Sequence, residues 1–289
     1  EDSTFKALDT ISENHVHINA NLNTTESHLN IELKYPDTWV NIKSVSVNVL
    51  NGHLKIDGPK AVKNKINIVA PATLKALEDI YASPKIYVNG SGTMHFHSDY
   101  DVNNFGALVF APSSGIYVET GSDIATKGYL TFTAADMLLD NVVEARGANV
   151  TIETSDYSNW PLLIGENVSQ PEIFNQPGFR LSDRELNFIR TDSRLSLGSM
   201  STSSVEIANV TFVGEDTPDH LDIVAKDSIV FNGAATSLEA GKRTQLNSKV
   251  HIDIRTNLTV DSILIMKSAL ACSRTGRVNV TETGSINTL

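Results

Sequence analysis

Short runs in which every second residue is apolar dominate this chain, and that alternation is what most narrows its possible folds. In Val45-Ser46-Val47-Asn48-Val49 the valines share one face. Ile66 with Ile68, Leu130 with Phe132, Val205 with Ile207, Val250 with Ile252 and Ile254, and Val278 with Val280 repeat the pattern. Side chains along a strand point alternately to opposite faces, so such runs predict strands with one buried side. The runs are ~3–5 residues long and bounded by Gly, Asn, Asp and Ser. They follow one another too densely for intervening helices, which excludes a doubly wound α/β fold and predicts an all-β one.

A second signal is repetition. An Asn-aliphatic-Thr tetrad occurs as Asn149-Val150-Thr151-Ile152, Asn209-Val210-Thr211-Phe212, Asn257-Leu258-Thr259-Val260 and Asn279-Val280-Thr281-Glu282. The last two begin 22 residues apart and the first two 60 apart, near three such periods. Short strands at a period of ~20 residues predict a right-handed parallel β-helix, a solenoid with coils of about 20–25 residues. No coil buries its apolar face alone; stacking at ~4.8 Å does so. Val47, Ile68, Leu130, Ile152, Val210, Ile252 and Val280 are expected to point inward. The competing architecture is a β-sandwich, for which Asn51-Gly52, Asp57-Gly58, Asn89-Gly90 and Asn232-Gly233 would supply hairpin turns.

Residues 1–119 read as a less regular β-helical part and 120–289 as a more regular one with an excursion at about 155–190. Ser155 to Gly178 is rich in Pro, Asn and Gln. Ser182 followed by Glu185 has the spacing of a capping box, predicting one helical turn that buries Leu186 and Ile189. Ala70 to Ile80 reads as a short helix or a loop.

Three stretches carry a family resemblance. They are Leu162-Leu163-Ile164-Gly165, Leu181-Ser182-Asp183-Arg184-Glu185-Leu186-Asn187-Phe188-Ile189 and Leu195-Ser196-Leu197-Gly198-Ser199. Together they resemble the recurring block of filamentous-haemagglutinin-like repeat proteins, in which a Leu-Ser-x-x-Glu-Leu turn precedes a Leu-x-Ile-Gly-Ser strand. Gly128 to Asp136 and Arg146 to Ile152 look like the same family's degenerate coil motif. The resemblance covers mainly 120–289. It implies a secreted, surface-attached β-helical adhesin or fibrous scaffold without an active site. The long perfect repeats common in that family, and a recognisable secretion domain, are missing from this sequence.

Composition narrows the partners. The formal net charge is −11, and the densest basic stretch, Lys60 to Lys65, holds only three lysines. Nucleic acid and anionic membranes need clustered cations, so neither is expected as a partner. No apolar run reaches the ~18 residues of a membrane span. Cys272 is the only cysteine, which excludes an internal disulfide and reads as a small buried apolar residue, the alternative being a free thiol that joins two chains. The chain opens at Glu1 without an initiator Met, and reads as processed or as a piece of something longer.

Few residues suggest chemistry. On a strand, His95, His97, Asp99 and Asp101 would share one face, and imidazole with carboxylate at that spacing is a candidate divalent-metal set. The plainer reading is a polar outer row, with Met94, Phe96 and Tyr100 inward. His15 and His17 form a weaker version. Arg180, Arg184, Arg190 and Arg194 cluster near the excursion, but no Gly-His-Gly, Asp-Asp or Arg-x-Lys signature of a polysaccharide-cleaving β-helix accompanies them. Asn23, Asn89, Asn149, Asn167, Asn209, Asn257 and Asn279 head N-glycosylation sequons. The expectation is a non-catalytic, cofactor-free structural or adhesive segment of an extracellular or cell-surface fibrous protein. Its expected partners are further copies or coils end to end, surface glycans and matrix proteins. The alternatives are a polysaccharide lyase or glycoside hydrolase, and a carbohydrate-binding module.

Overall fold

Strands pair in parallel throughout, and their partners come from successive turns of the chain. The computed structural model describes residues 2–59, 63–99, 105–119, 128–155, 160–166, 178–212, 217–268, 276–281 and 284–288. They fall into two units, Glu1–Ala148 and Asn149–Leu289. The fold is a parallel β-helix. The hairpins of a β-sandwich do not form: Gly52, Gly90 and Gly233, at φ of 112°, 94° and 84°, turn the chain from one sheet to another.

In the first unit the chain visits three sheets in fixed order, six times. The first face holds Ser3–Phe5, Leu22–Thr24, Ser46–Val49, Ala72–Ala76, Thr93–His97 and Tyr129–Ala134. Leu8–Ser12, Leu29–Leu33, Leu54–Asp57, Ile80–Ala82, Ala107–Phe110 and Asp136–Leu139 make the second. Val16–Ile18, Trp39–Lys43, Lys65–Val69, Lys85–Asn89, Ile116–Glu119 and Val143–Glu144 make the third. The register partners Leu8, Leu29, Leu54, Ile80 and Leu108 lie 21, 25, 26 and 28 residues apart. Every coil thus places a like residue over a like one. Leu29, Leu54, Ile80 and Leu108 are all buried, as are Val40, Ile66, Ile86 and Ile116 on the third face. Aromatic packing closes the far coils, where Phe96 and Phe110 meet edge to face with centroids 5.4 Å apart.

The segment Ala70 to Ile80 is neither helix nor loop. It forms the strands Ala72–Ala76 and, from Ile80, Ile80–Ala82. Ala72, Leu74 and Ala76 alternate inward with period two, and the register with Val47 and Phe96 outweighs the helix propensity of Ala, Leu and Lys.

In the second unit Asn149–Thr154, Arg194–Leu197 and His220–Ala225 pair in order. The last of them pairs with the far half of the long strand Ala235–Ser248. Its near half pairs with Thr211–Phe212, and a register shift between Glu239 and Arg243 separates the halves. A further sheet runs Phe179–Ser182, Leu162–Gly165, Ser204–Ala208, Ser228–Asn232, His251–Ile254, Arg277–Val280. The excursion therefore contains core: Leu162, Leu163 and Ile164 are all buried, with Phe179–Ser182 on one side and Ser204–Ala208 on the other. A strand buried on both faces shows no alternation, which is why the pattern breaks there. Gly165 sits at φ 146° against the Ala208 carbonyl, where a β-carbon has no room.

The helical turn Asp183–Asn187 forms as its spacing predicts. Ser182 Oγ accepts from the Glu185 amide at 3.2 Å, and Glu185 Oε2 accepts from the Ser182 amide at 2.9 Å. Leu186 and Ile189 are buried. Of the expected inward residues, Val47, Ile68, Leu130, Ile152, Val210 and Ile252 are buried. Val280 is not: it is 45% exposed, and Val278 beside it 42%. Their strand pairs with His251–Ile254 alone among the described residues, and none of those stacks over its other edge. The tetrads also do not mark one coil position. Asn209 and Asn257 each stand in line with Ala235, two coils apart, whereas Asn279 pairs with Asp253 on the other sheet.

Candidate functional site

Outward side chains stack in rows as regularly as the core, and these rows are where chemistry has to be sought. On the first face Lys75, His97 and Thr133 are register neighbours, beside the row Thr73, His95, Thr131. The His95 and His97 rings stack with centroids 5.1 Å apart, and His95 Nε2 lies 2.9 Å from Thr133 Oγ1. Burial, then the neighbouring His95 and Lys75, push the His97 pKa down to about 4. Of the four-residue metal set, Asp99 does not join the two histidines. Met94 and Phe96 are buried as expected, but the strand ends at His97, and Asp99 turns at φ 55° into the buried side instead of joining the histidine row. Tyr100 and Asp101 lie outside the described residues. Among the described residues no group of three potential metal ligands converges.

The other sequence candidates scatter. His15 stacks on Trp39, and His17 Nδ1 lies 3.3 Å from Asn41 Nδ2. Arg184 lies over the Phe188 ring, Arg194 faces Asp222, and Arg180 is half-buried on its strand. Several sequon asparagines help bind coil to coil. Asn23 Oδ1 accepts from Asn48, Asn149 Oδ1 from Ser193, Asn209 Oδ1 from the Ala234 amide and Asn257 Oδ1 from Ser285, at 2.7–2.9 Å. Asn89 is half-buried at a strand end and Asn279 is exposed. Asn167 and Cys272 lie outside the described residues.

Among the described residues of the first unit two open clefts stand out, and they differ in what their polar groups already do. The second-face cleft, about 260 Å³, is lined by Asp9, Asn30, Glu32, Lys55 and Asp57 with Ile11. Its groups bond one another. His28 and Asn30 donate to Asp9, which lowers its pKa, and Lys55 and Ser83 engage Asp57.

The third-face cleft, about 300 Å³, is lined by Asp37, Trp39, Lys63, Asn64, Lys65, Lys85 and Tyr87. Trp39, Lys65 and Lys85 stand on adjacent coils, Trp39 facing Lys65 and Lys65 abutting Lys85 in turn. The Lys65 ammonium lies 5.4 Å from the Trp39 ring centre, and that of Lys85 lies 5.9 Å from Tyr117. Asn64 is 3% exposed, and neither its Nδ2 nor its Oδ1 has a hydrogen-bond partner. Alternation did not flag this site, because its members come from outward positions on three coils and from a turn.

In the second unit Arg194, His220 and Arg243 form an outward row. Asp222, with its side chain only 10% exposed, sits 3.4 Å from Arg194 and 3.8 Å from Arg243. Burial, then the two arginines, lower the His220 pKa. Burial raises the pKa values of Asp183 and Glu206, but Asp183 accepts from the Thr211 amide and a nearby Arg255 partly offsets the rise at Glu206. No protein-family model matches the chain, and neither a curated protein nor a solved structure matches it.

Proposed function

We propose that this chain is a non-catalytic structural and adhesive segment of an extracellular or cell-surface fibrous protein, akin to the filamentous-haemagglutinin-like repeat proteins. The observation that carries this reading is the direction of its polar bonds. Asn23 with Asn48, Asn41 with Asn67, Asn30 with Asp9 and Ser83 with Asp57 link one coil to the next. Such ladders hold a solenoid together and present a repeating surface, whereas hydrolysis or elimination needs acid and base groups converging on one bond. The Leu-Ser-x-x-Glu-Leu block supports the family reading, since it folds as a capped turn leading into a strand with Leu195 and Leu197 buried. The exposed pair Val278 and Val280, on a strand with one described neighbour, supports end-to-end contact with a further coil or copy.

Beads coated with the intact chain test the adhesive part. They should be retained on glycan films well above bare beads. Retention equal to bare beads on neutral and acidic films alike would remove adhesion and leave a scaffold.

A further inference from the structure

We propose that the third-face cleft of the first unit binds a sugar carrying an anionic group, a uronate or a sulfated residue. This rests on the adhesive reading above and names the class of ligand. Three observations meet at the cleft. First, Lys65 and Lys85 are register partners, so strand pairing roots two lysines on neighbouring coils, their backbones at roughly the ~4.8 Å strand spacing. Neither makes an ion pair among the described residues; each leans on an aromatic ring instead. The two ammonium groups lean apart, that of Lys65 toward Trp39 on the coil before and that of Lys85 toward Tyr117 on the coil after, and two cations without a carboxylate partner along one face favour an anion there.

Second, Asn64 buries an amide whose donor and acceptor are both unmatched. A buried amide without partners costs free energy, and a ligand that draws the side chain toward the cleft and bonds it recovers that cost. The amide is boxed in on its other side: a β-carbon at Gly58 would lie 2.7 Å from its Nδ2. Third, acceptors accompany the cations. The Asp37 carboxylate, 3.5 Å from the mostly exposed Lys63, lines the same space.

A bare inorganic anion has no use for those acceptors, and a neutral sugar has none for two free ammonium groups. A sugar ring bearing a carboxylate or sulfate uses both, its hydroxyls donating to Asp37 and, with the Asn64 side chain turned outward, bonding that amide. The faces of Trp39 are already taken, by His15 on one side and the Lys65 ammonium near the ring, so the indole forms a wall of the cleft and the cations supply the attraction. On a chain of net charge −11, such a pocket also selects by position: an acidic polymer is repelled elsewhere and admitted here.

Calorimetric titration of the intact chain tests this, with trigalacturonate, a sulfated disaccharide, a neutral glucose trimer and sodium sulfate as probes. Acidic saccharides should bind at least about tenfold more tightly than the neutral trimer or free sulfate, and weaken as salt rises. The double variant Lys65→Gln/Lys85→Gln should lose about tenfold in affinity, while Lys65→Arg/Lys85→Arg retains most of it and Lys55→Gln on the second face changes nothing. Asn64→Ala should weaken binding without lowering the melting temperature. The two acidic probes against each other tell carboxylate from sulfate as the preferred group. Equal binding of acidic and neutral trimers, or binding indifferent to the Lys65/Lys85 pair, overturns the proposal while leaving an adhesive chain. No binding of any saccharide, with bead retention also lost, overturns both.

Discussion

Phe96 and Phe132 are register partners on adjacent coils of the first unit, and their rings stack with centroids 5.6 Å apart at an interplanar angle of 13°. Phe110 meets the Phe132 ring edge to face at 5.9 Å. All three are at most 1% exposed. Parallel stacking of like residues is what a solenoid offers in place of a central core, so loss of one ring empties a space no neighbouring turn can fill. Phe132→Ala should cost about 3–5 kcal/mol, read as a lowered denaturant midpoint. Phe132→Leu should cost clearly less.

The carboxylate of Asp222 compensates Arg194 and Arg243 from a nearly buried position. Removing it leaves two cations facing each other along a strand row with His220 between them. Asp222→Ala should destabilise the chain by about 1 kcal/mol, since the arginines left behind are partly exposed, measured by urea unfolding. A double variant that also replaces Arg243 by Met should recover part of the loss.

His97 makes stability depend on pH. Its folded pKa of about 4 lies below the ordinary histidine value of 6.5, so between those limits the unfolded chain binds the proton first. Stability is therefore full above about pH 6.5 and falls as the pH drops toward 4. Because the ring is partly exposed, the loss from this group should be no more than about 2 kcal/mol. Melting temperature followed from pH 7 to 4 should fall less steeply in His97→Gln than in the parent chain.

Ser182 caps the single helical turn and holds Glu185 in place. Ser182→Ala should cost about 1 kcal/mol. Hydrogen exchange should localise the loosening to Asp183–Asn187 and to Thr211, whose amide donates to Asp183 at 2.8 Å.

Local chemistry carried much of the architecture. Period-two runs such as Val47 with Val49, and Ile66 with Ile68, needed only a buried side to become strands, and the Ser182–Glu185 spacing fixed a cap that depends on no distant residue. What alternation hid was anything set by stacking. Leu162 to Ile164 is buried on both faces and so lost its period, and Ala72 to Ala76 took its strand form from Val47 and Phe96. The tetrads misled as a ruler, because Asn-aliphatic-Thr suits a strand entry on any face. Histidine and aspartate at alternating positions suggested a shared row, but Asp99 follows the end of its strand. The Lys65–Lys85–Asn64 cleft was illegible because its members become neighbours only through a coil spacing of 20 residues here against 26 in the coil before.

The central claim, that this β-helix holds a glycan without cutting it, is tested most directly by the molar mass of the polymer itself. Polygalacturonate is incubated for a day with the intact chain, the protein is stripped off in high salt, and the polymer is sized by light scattering. The account predicts an unchanged molar mass and no new unsaturated or reducing ends. A falling molar mass, abolished by a single aspartate substitution such as Asp222→Asn, would contradict it and make the chain a polysaccharide-cleaving enzyme.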